Sequence, residues 1–265
     1  MSFGFIGTGS MGGALARAAA KSGAEVLLAN RTAAKAEALA AELGAAAVTN
    51  EEAARRADFL FLGVKPQLMA DMLADIAPAL RARKDRFVLV SMAAGLTMAD
   101  IRRLAGGDWP VIHIVPNTPA AIGEGIILYA ATPDVTEAKL DVFLKGMSAA
   151  GRLTPLEERL MDAGSAVSGC GPAFVDLFVE ALADGGVACG LPRAAALEMA
   201  AQMTAGAARL ILESGQHPGI LKDQVCSPGG STIMGVRALE DGGFRSAVFH
   251  AVMDAFEKTR SLGRS

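Results

Sequence analysis

Ser2-Phe3-Gly4-Phe5-Ile6-Gly7-Thr8-Gly9-Ser10-Met11-Gly12 decides the fold. An apolar run long enough for one buried strand breaks into glycines spaced G-x-G-x-x-G, and Met11, Leu15, Ala18 and Ala19 then recur at helical spacing. Strand, tight turn and helix in that order begin a dinucleotide-binding βαβ unit. Gly7 allows the turn, Gly9 lets a pyrophosphate approach the backbone, and Gly12 lets helix and strand pack closely. The helix N-terminus then faces the phosphates. A glycine-rich turn in a core of small residues would read the same way by spacing alone, and the strand-to-helix context separates the two.

Outward from this turn, apolar runs at Phe3–Ile6, Glu25–Ala29, Ala46–Val48, Phe59–Gly63, Phe87–Met92, Val111–Val115 and Ile126–Ala130 alternate with helical periodicities. Examples are Ala36, Leu39, Ala40 and Leu43, and Met69, Met72, Leu73 and Ile76. Thr49-x-x-Glu52 reads as a capping box, and Pro66 suits a first helical position. The pattern predicts an α/β Rossmann-type domain with a mainly parallel sheet. After Thr136 the strand signals stop, and a helix through Leu140, Phe143, Leu144 and Met147 is expected to close this domain. The boundary falls near Thr154-Pro155, giving domains 1–154 and 155–265, the second all-α.

Of the 265 residues 52% are hydrophobic and 20% charged, with a formal net charge of -3. A mean hydropathy of +0.36 excludes a disordered chain and leans towards an oligomer. No polybasic run marks a nucleic-acid surface. No uncharged run approaches the roughly 18 apolar residues of a membrane span, and the start lacks the basic flank of a secretory signal. Cys170, Cys189 and Cys226 show no disulfide or ligand spacing, and His113, His217 and His250 are not spaced as metal ligands, so no metal and a reducing cytoplasm are expected.

An NAD-preferring unit ends its second strand in a carboxylate for the ribose hydroxyls. Here EVLLA ends in Asn30-Arg31-Thr32, with Lys35 nearby. A carboxylate would repel a 2′-phosphate, whereas Arg31 pairs with one, so NADPH is expected, with NADH as the alternative. Further cofactor contacts belong at later strand ends. These are Val64-Lys65-Pro66, Ala93-Ala94-Gly95 and Pro116-Asn117-Thr118-Pro119.

Over essentially its whole length the chain resembles the pyrroline-5-carboxylate reductases. The resemblance rests on GFIGTGSMG (4–12), VKPQ (64–67), SMAAGLT (91–97), VPNTPA (115–120), SGCGPAF (168–174), EALADGGVACGLPR (180–193) and HPGILKDQVCSPGGSTIMGVRALEDGGFR (217–245). It implies NAD(P)H-dependent reduction of the cyclic imine pyrroline-5-carboxylate to proline. It also implies a helical domain that dimerises and completes the active sites, with homodimers that in many members assemble into rings. Cofactor contacts would fall on Gly7, Thr8, Gly9, Ser10, Met11, Asn30, Arg31, Thr32, Asn50, Lys65 and Ala93–Gly95, and substrate contacts on Ser227, Gly229, Gly230, Ser231 and Thr232. The chain departs from the family at His113 and Val115, where an arginine and a methionine are usual; His113 reads as a packed strand residue.

Ser227 to Thr232 opens a helix, so its backbone N–H groups can hold a carboxylate while Gly229 and Gly230 permit close approach. Thr232 is the candidate catalytic residue, its hydroxyl directed to the ring nitrogen; an ordinary cap after a Pro-Gly turn is the competing reading. A β-hydroxyacid dehydrogenase would carry a lysine on the SGCGPAFVDLFVE helix, where Asp176 stands instead. A ketol-acid reductoisomerase would need clustered carboxylates for magnesium. A noncatalytic NADP(H) sensor would have no use for SPGGST.

Overall fold

The structure, a computed structural model, describes residues 1–85 and 87–262. The N-terminal strands are near-continuous apolar runs because a parallel sheet is buried on both faces. They are β1 (Ser2–Ile6), β2 (Glu25–Ala29), β3 (Ala46–Ala47), β4 (Phe59–Leu62), β5 (Val88–Ser91), β6 (Val111–Val115), β7 (Gly125–Ala131) and β8 (Gly151–Pro155). Their order in the eight-stranded sheet is β3-β2-β1-β4-β5-β6-β7-β8. All neighbours are parallel except β6 and β7. The strand order reverses between β1 and β4, which opens a crevice at their carboxyl ends.

Successive side chains along each strand serve opposite layers. Leu27, Leu60, Leu62, Leu89 and Val111 face α3 (Asn50–Arg56), α4 (Met69–Arg81) and α5 (Met98–Ala105). Phe3, Phe5, Phe59, Phe61, Val90 and Ile112 face α1 (Ser10–Lys21), α2 (Ala33–Leu43) and α6 (Glu137–Met147). In the second layer Phe3 stacks on Phe59 at 5.1 Å and Phe5 on Phe61 at 4.3 Å, and Phe143 of α6 lies 6.1 Å from Phe61. Each such pair contributes about 0.5–1.5 kcal/mol beyond its buried area. Thr49 caps α3 as expected, its Oγ1 accepting from the Glu52 N–H at 3.1 Å.

Strand formation does not stop at Thr136, and α6 does not close the domain. The segment GRLTP adds β8 parallel to β7, from Gly125 opposite Gly151 to Tyr129 opposite Pro155. Arg152, Thr154 and Pro155 carry no apolar signal, and they are tolerated because β8 is an edge strand, where proline loses no ladder bond. Past it, α7 (Met161–Gly164) and a π-turn at Ser165–Gly169 bury Met161 and Ala166. The first compact unit therefore runs to Cys170 and takes in residues 255–262, beyond the expected boundary at 154/155.

The second unit, Gly171–Asp254, is all helix: α8 (Gly171–Ala188), α9 (Arg193–Ser214), α10 (Pro218–Val225), α11 (Ser231–Asp241) and most of α12 (Phe244–Leu262). Its own core is small: Ala183, Ala196 and Ala200, with Val179 and Val187 against them. Asp184 pairs with Arg193, so the Glu180/Asp184 face holds a salt bridge. His217 caps α10, its Nδ1 accepting the Gly219 N–H at 3.1 Å, and Lys222 pairs with Asp223.

The sheet's packing can be tested at Gly146 of α6, where a Cβ would stand 2.3 Å from the Phe3 ring. Gly146→Ala is expected to lower unfolding free energy in urea by about 1–3 kcal/mol, the usual cost of overpacking. A variant as stable as the parent would contradict this contact.

Candidate cofactor and substrate sites

The turn after β1 is built from missing side chains. Gly7 has φ +102, and a Cβ there would lie 2.3 Å from the Gly63 carbonyl oxygen; a Cβ on Gly12 would lie 2.1 Å from the Gly7 oxygen. Backbone packs on backbone here, closing the turn tightly enough for α1 to start at Ser10. Gly63, at the end of the FLFL strand, is the unforeseen third member. Its N–H donates to Ile6 O at 2.7 Å, and its own Cβ would stand 2.8 Å from the Gly7 oxygen. A glycine closing an apolar strand was the available signal.

Around Gly9 a Cβ would meet nothing within 4 Å. Gly9 is the N-cap of α1; no side chain caps that end and no acidic residue stands in its first turn. Thr8 Oγ1 is buried without a hydrogen-bond partner among the described residues. An open approach, an uncompensated positive helix end and an unsatisfied hydroxyl all fit a pyrophosphate over Gly7, Thr8, Gly9, Ser10 and Met11.

Asn30 ties this turn to the end of β2. Its Oδ1 accepts the Thr8 N–H at 3.2 Å and its Nδ2 donates to Thr32 O at 3.1 Å. Beside it opens a cavity of about 640 Å³, lined among others by Asn30, Ala36, Val48, Asn50 and Ile76, a volume suited to an adenosine. Arg31, Thr32 and Lys35 are exposed, and Thr32 sits at the N-cap of α2 without its side chain making the cap bond. The strand-end reading named Asn30 and the family resemblance named Asn50; neither pointed to the apolar lining from Val48 and Ile76.

The remaining candidates stand at neighbouring strand ends. Lys65 is exposed and precedes the short 3₁₀ turn Pro66–Leu68, while Val64 is partly buried against the core. Ala93 is fully buried, its N–H donating to Ser91 Oγ at 3.3 Å, so its side chain is not a contact surface; Gly95 turns the loop with φ +77. Thr97 and Asp100 form a full capping box at the start of α5, legible as T-x-x-D. Asn117 is turned into the protein. Its Nδ2 donates to Ser168 O and its Oδ1 accepts the Ile126 N–H, both at 3.0 Å, so its amide ties β6 to β7 and the π-turn, and any cofactor contact falls to its backbone.

His113 is 5% exposed, and neither ring nitrogen has a hydrogen-bond partner among the described residues. Burial pushes its pKa below the ordinary 6.5, against the pull of Glu158 and Asp162. It is a neutral, packed strand residue, as its apolar neighbours predict.

In the helical unit, Pro228-Gly229 centres a turn in which the Gly230 N–H donates to Ser227 O at 3.0 Å. Gly229 takes φ +72, the left-handed conformation a type II turn requires after proline. Gly230 is the N-cap of α11, which again has no side-chain cap and no acidic residue in its first turn. Ser231 and Thr232 follow on an exposed helix start. The two glycine-led helix ends share one property, free backbone donors with nothing negative before them.

The family description "Pyrroline-5-carboxylate reductase dimerisation" matches residues 158–262, and "NADP oxidoreductase coenzyme F420-dependent" matches residues 2–95. The pyrroline-5-carboxylate reductase of Glycine max is 40% identical, covering 98% of this chain and 95% of its own. That of Escherichia coli (strain K12) is also 40% identical, covering 99% and 98%. Among solved structures, the Plasmodium falciparum pyrroline carboxylate reductase with NADP bound superposes with a TM-score of 0.88 at 31% identity, covering 99% of this chain and 98% of that one. A ketol-acid reductoisomerase from an uncultured archaeon shares the fold alone, at 17% identity and a TM-score of 0.62. With identity of this order along nearly its full length, the chain belongs to the pyrroline-5-carboxylate reductase family.

Proposed function

We propose that the chain reduces 1-pyrroline-5-carboxylate to L-proline with NADPH, the last step of proline synthesis, and that the Gly7–Gly12 turn and the SPGGST turn hold the two reactants. The observation that carries this reading is the pair of glycine-led, uncapped helix ends, one after β1 and one at α11, in a chain 40% identical to named reductases. Reduction of a C=N bond needs a hydride, which NADPH supplies when bound.

The protein's share is binding, orientation and a proton. Gly7, Thr8, Gly9, Ser10 and Met11 take the pyrophosphate; Asn30 and Asn50 take the adenosine side; Arg31 and Thr32, with Lys35, take the 2′-phosphate. Val64, Lys65 and Pro66, the backbone of the Ala93–Gly95 loop, and the Asn117 backbone line the nicotinamide side. Ser227, Gly229, Gly230 and Ser231 hold the substrate carboxylate on α11's N-terminal amides. Thr232 hydrogen-bonds the ring nitrogen and conducts its proton. Hydride transfer requires no metal site, and the described residues contain no group of three or more His, Cys, Asp and Glu side chains placed to hold one.

Assembly is through the helical half. Leu177, Leu212, Val225 and Phe249 are 66–71% exposed on a unit whose internal core is three alanines, so a second copy is needed to cover them. The homodimer follows from this reading, and rings of such dimers are what the family resemblance adds. By length and composition alone the helical stretch Glu158–Ala188 could cross a membrane, yet it lies inside the segment matched to dimerisation. Three free cysteines suit a reducing cytoplasm.

Thr232→Ala is expected to lower turnover about a hundredfold, the low end for loss of a proton-transfer group, with NADPH affinity unchanged in a separate fluorescence titration. Unchanged turnover would remove Thr232 from the mechanism; weakened NADPH binding would place it in the other site. Arg31→Ala is expected to weaken NADPH binding about tenfold, as loss of one hydrogen bond to a charged group does, and to leave NADH binding nearly untouched. Equal losses for both cofactors would refute a 2′-phosphate contact.

A further inference from the structure

His113 is a polar group for which the proposed chemistry has no use. It stands on β6 between Ser91 of β5 and Ala130 of β7, its side chain 7% exposed and both ring nitrogens unpartnered. Its Nδ1 lies 3.9 Å from Glu158 Oε1, beyond hydrogen-bond length. That same oxygen accepts the Met98 N–H at 2.5 Å. Met98 is the first residue of α5, directly after the Thr97 cap on which the Ala93–Gly95 loop ends. One carboxylate oxygen thus faces two donors: the Met98 amide, which holds it, and His113, which competes for it once Nδ1 carries a proton and the ring a charge.

We propose that Glu158 is a positioning residue that fixes the Ala93–Gly95 cofactor loop through the Met98 N–H, and that protonated His113 draws Glu158 off this bond and weakens cofactor binding. The proposal rests on the reading of that loop as a cofactor contact.

The surrounding charges leave Glu158 as the group that answers His113. Asp162 of α7 adds a second, smaller pull towards the charged ring. On α5, Asp100 is paired with Arg103, and Arg102 with Asp134; Arg159 is paired with Glu157. The residues paired with His113 on β5 and β7 are uncharged, and Tyr129 of β7 packs with the opposite layer. Burial holds the ring neutral at neutral pH, so the Met98 bond is intact there. The folded state binds this proton less tightly than the unfolded chain does. Stability from neutral His113 is therefore complete above the ordinary pKa of 6.5 and is lost as pH falls through the lowered folded-state value.

The test follows the Met98 amide proton shift by NMR and the NADPH Kd by fluorescence in wild type, His113→Gln and Glu158→Gln, from about pH 7.5 to about pH 5.5. Titration of the cofactor's own 2′-phosphate is common to all three proteins and cancels in their ratio. In wild type the Met98 proton is expected to move upfield on acidification, and Kd to rise about fivefold more than in either variant. In both variants the Met98 shift stays constant. A shift that is flat in wild type, or that still titrates in His113→Gln, overturns the proposal. So does a titrating shift with no excess change in Kd. Absence of NADPH binding to wild type at any pH would instead overturn the cofactor reading, and the positioning role with it.

Discussion

The approach of three backbone segments at the switch in strand order is the constraint on which the rest depends. Gly7, Gly12 and Gly63 touch through atoms that any side chain would push apart, with hypothetical Cβ positions 2.1–2.8 Å from carbonyl oxygens. Because β1 and β4 close on each other there, α1 begins directly at the turn, and its free amides point out of the sheet's carboxyl edge. Parallel β4, β5 and β6 bring the 64–66, 93–95 and 116–118 loops to that same edge. The Asn30 amide links the pyrophosphate turn to the Arg31-Thr32 loop.

Much of this was legible in the sequence because the determinants are local. Buried parallel strands advertise themselves as continuous apolar runs, and glycines spaced G-x-G-x-x-G directly after one of them mark a nucleotide turn. β8 was illegible for the opposite reason: an edge strand asks little of its side chains, and Arg152, Thr154 and Pro155 satisfy it without an apolar pattern. Asn117 shows the second limit. Its loop position suggested a ligand, but the bonds that occupy its amide come from Ser168 and Ile126, and one of these is 51 residues away in the chain. Likewise, nothing in the spacing of His113 and Glu158 announces that they share a neighbour in Met98.

The two halves share one electrostatic feature, which the proposed function assigns to two different ligands. An α-helix start with neither side-chain cap nor early carboxylate retains its positive end, and the glycine-led ones of this kind follow Gly9 and Gly230. The first, backed by a tightly closed sheet, suits a large dianionic pyrophosphate. The second, on an exposed turn set by Pro228 and Gly229, suits a small carboxylate. In the proposed reaction, nicotinamide chemistry leaves the protein little more to supply than these two grips and a proton at the ring nitrogen.

The most direct test of this division of labour is the loss of NADPH absorbance on adding 1-pyrroline-5-carboxylate to the purified protein, with the product resolved on a chiral column. The account predicts stoichiometric conversion to L-proline, with one NADPH oxidised per imine consumed. NADPH binding without oxidation, across both five- and six-membered cyclic imine carboxylates, would contradict it.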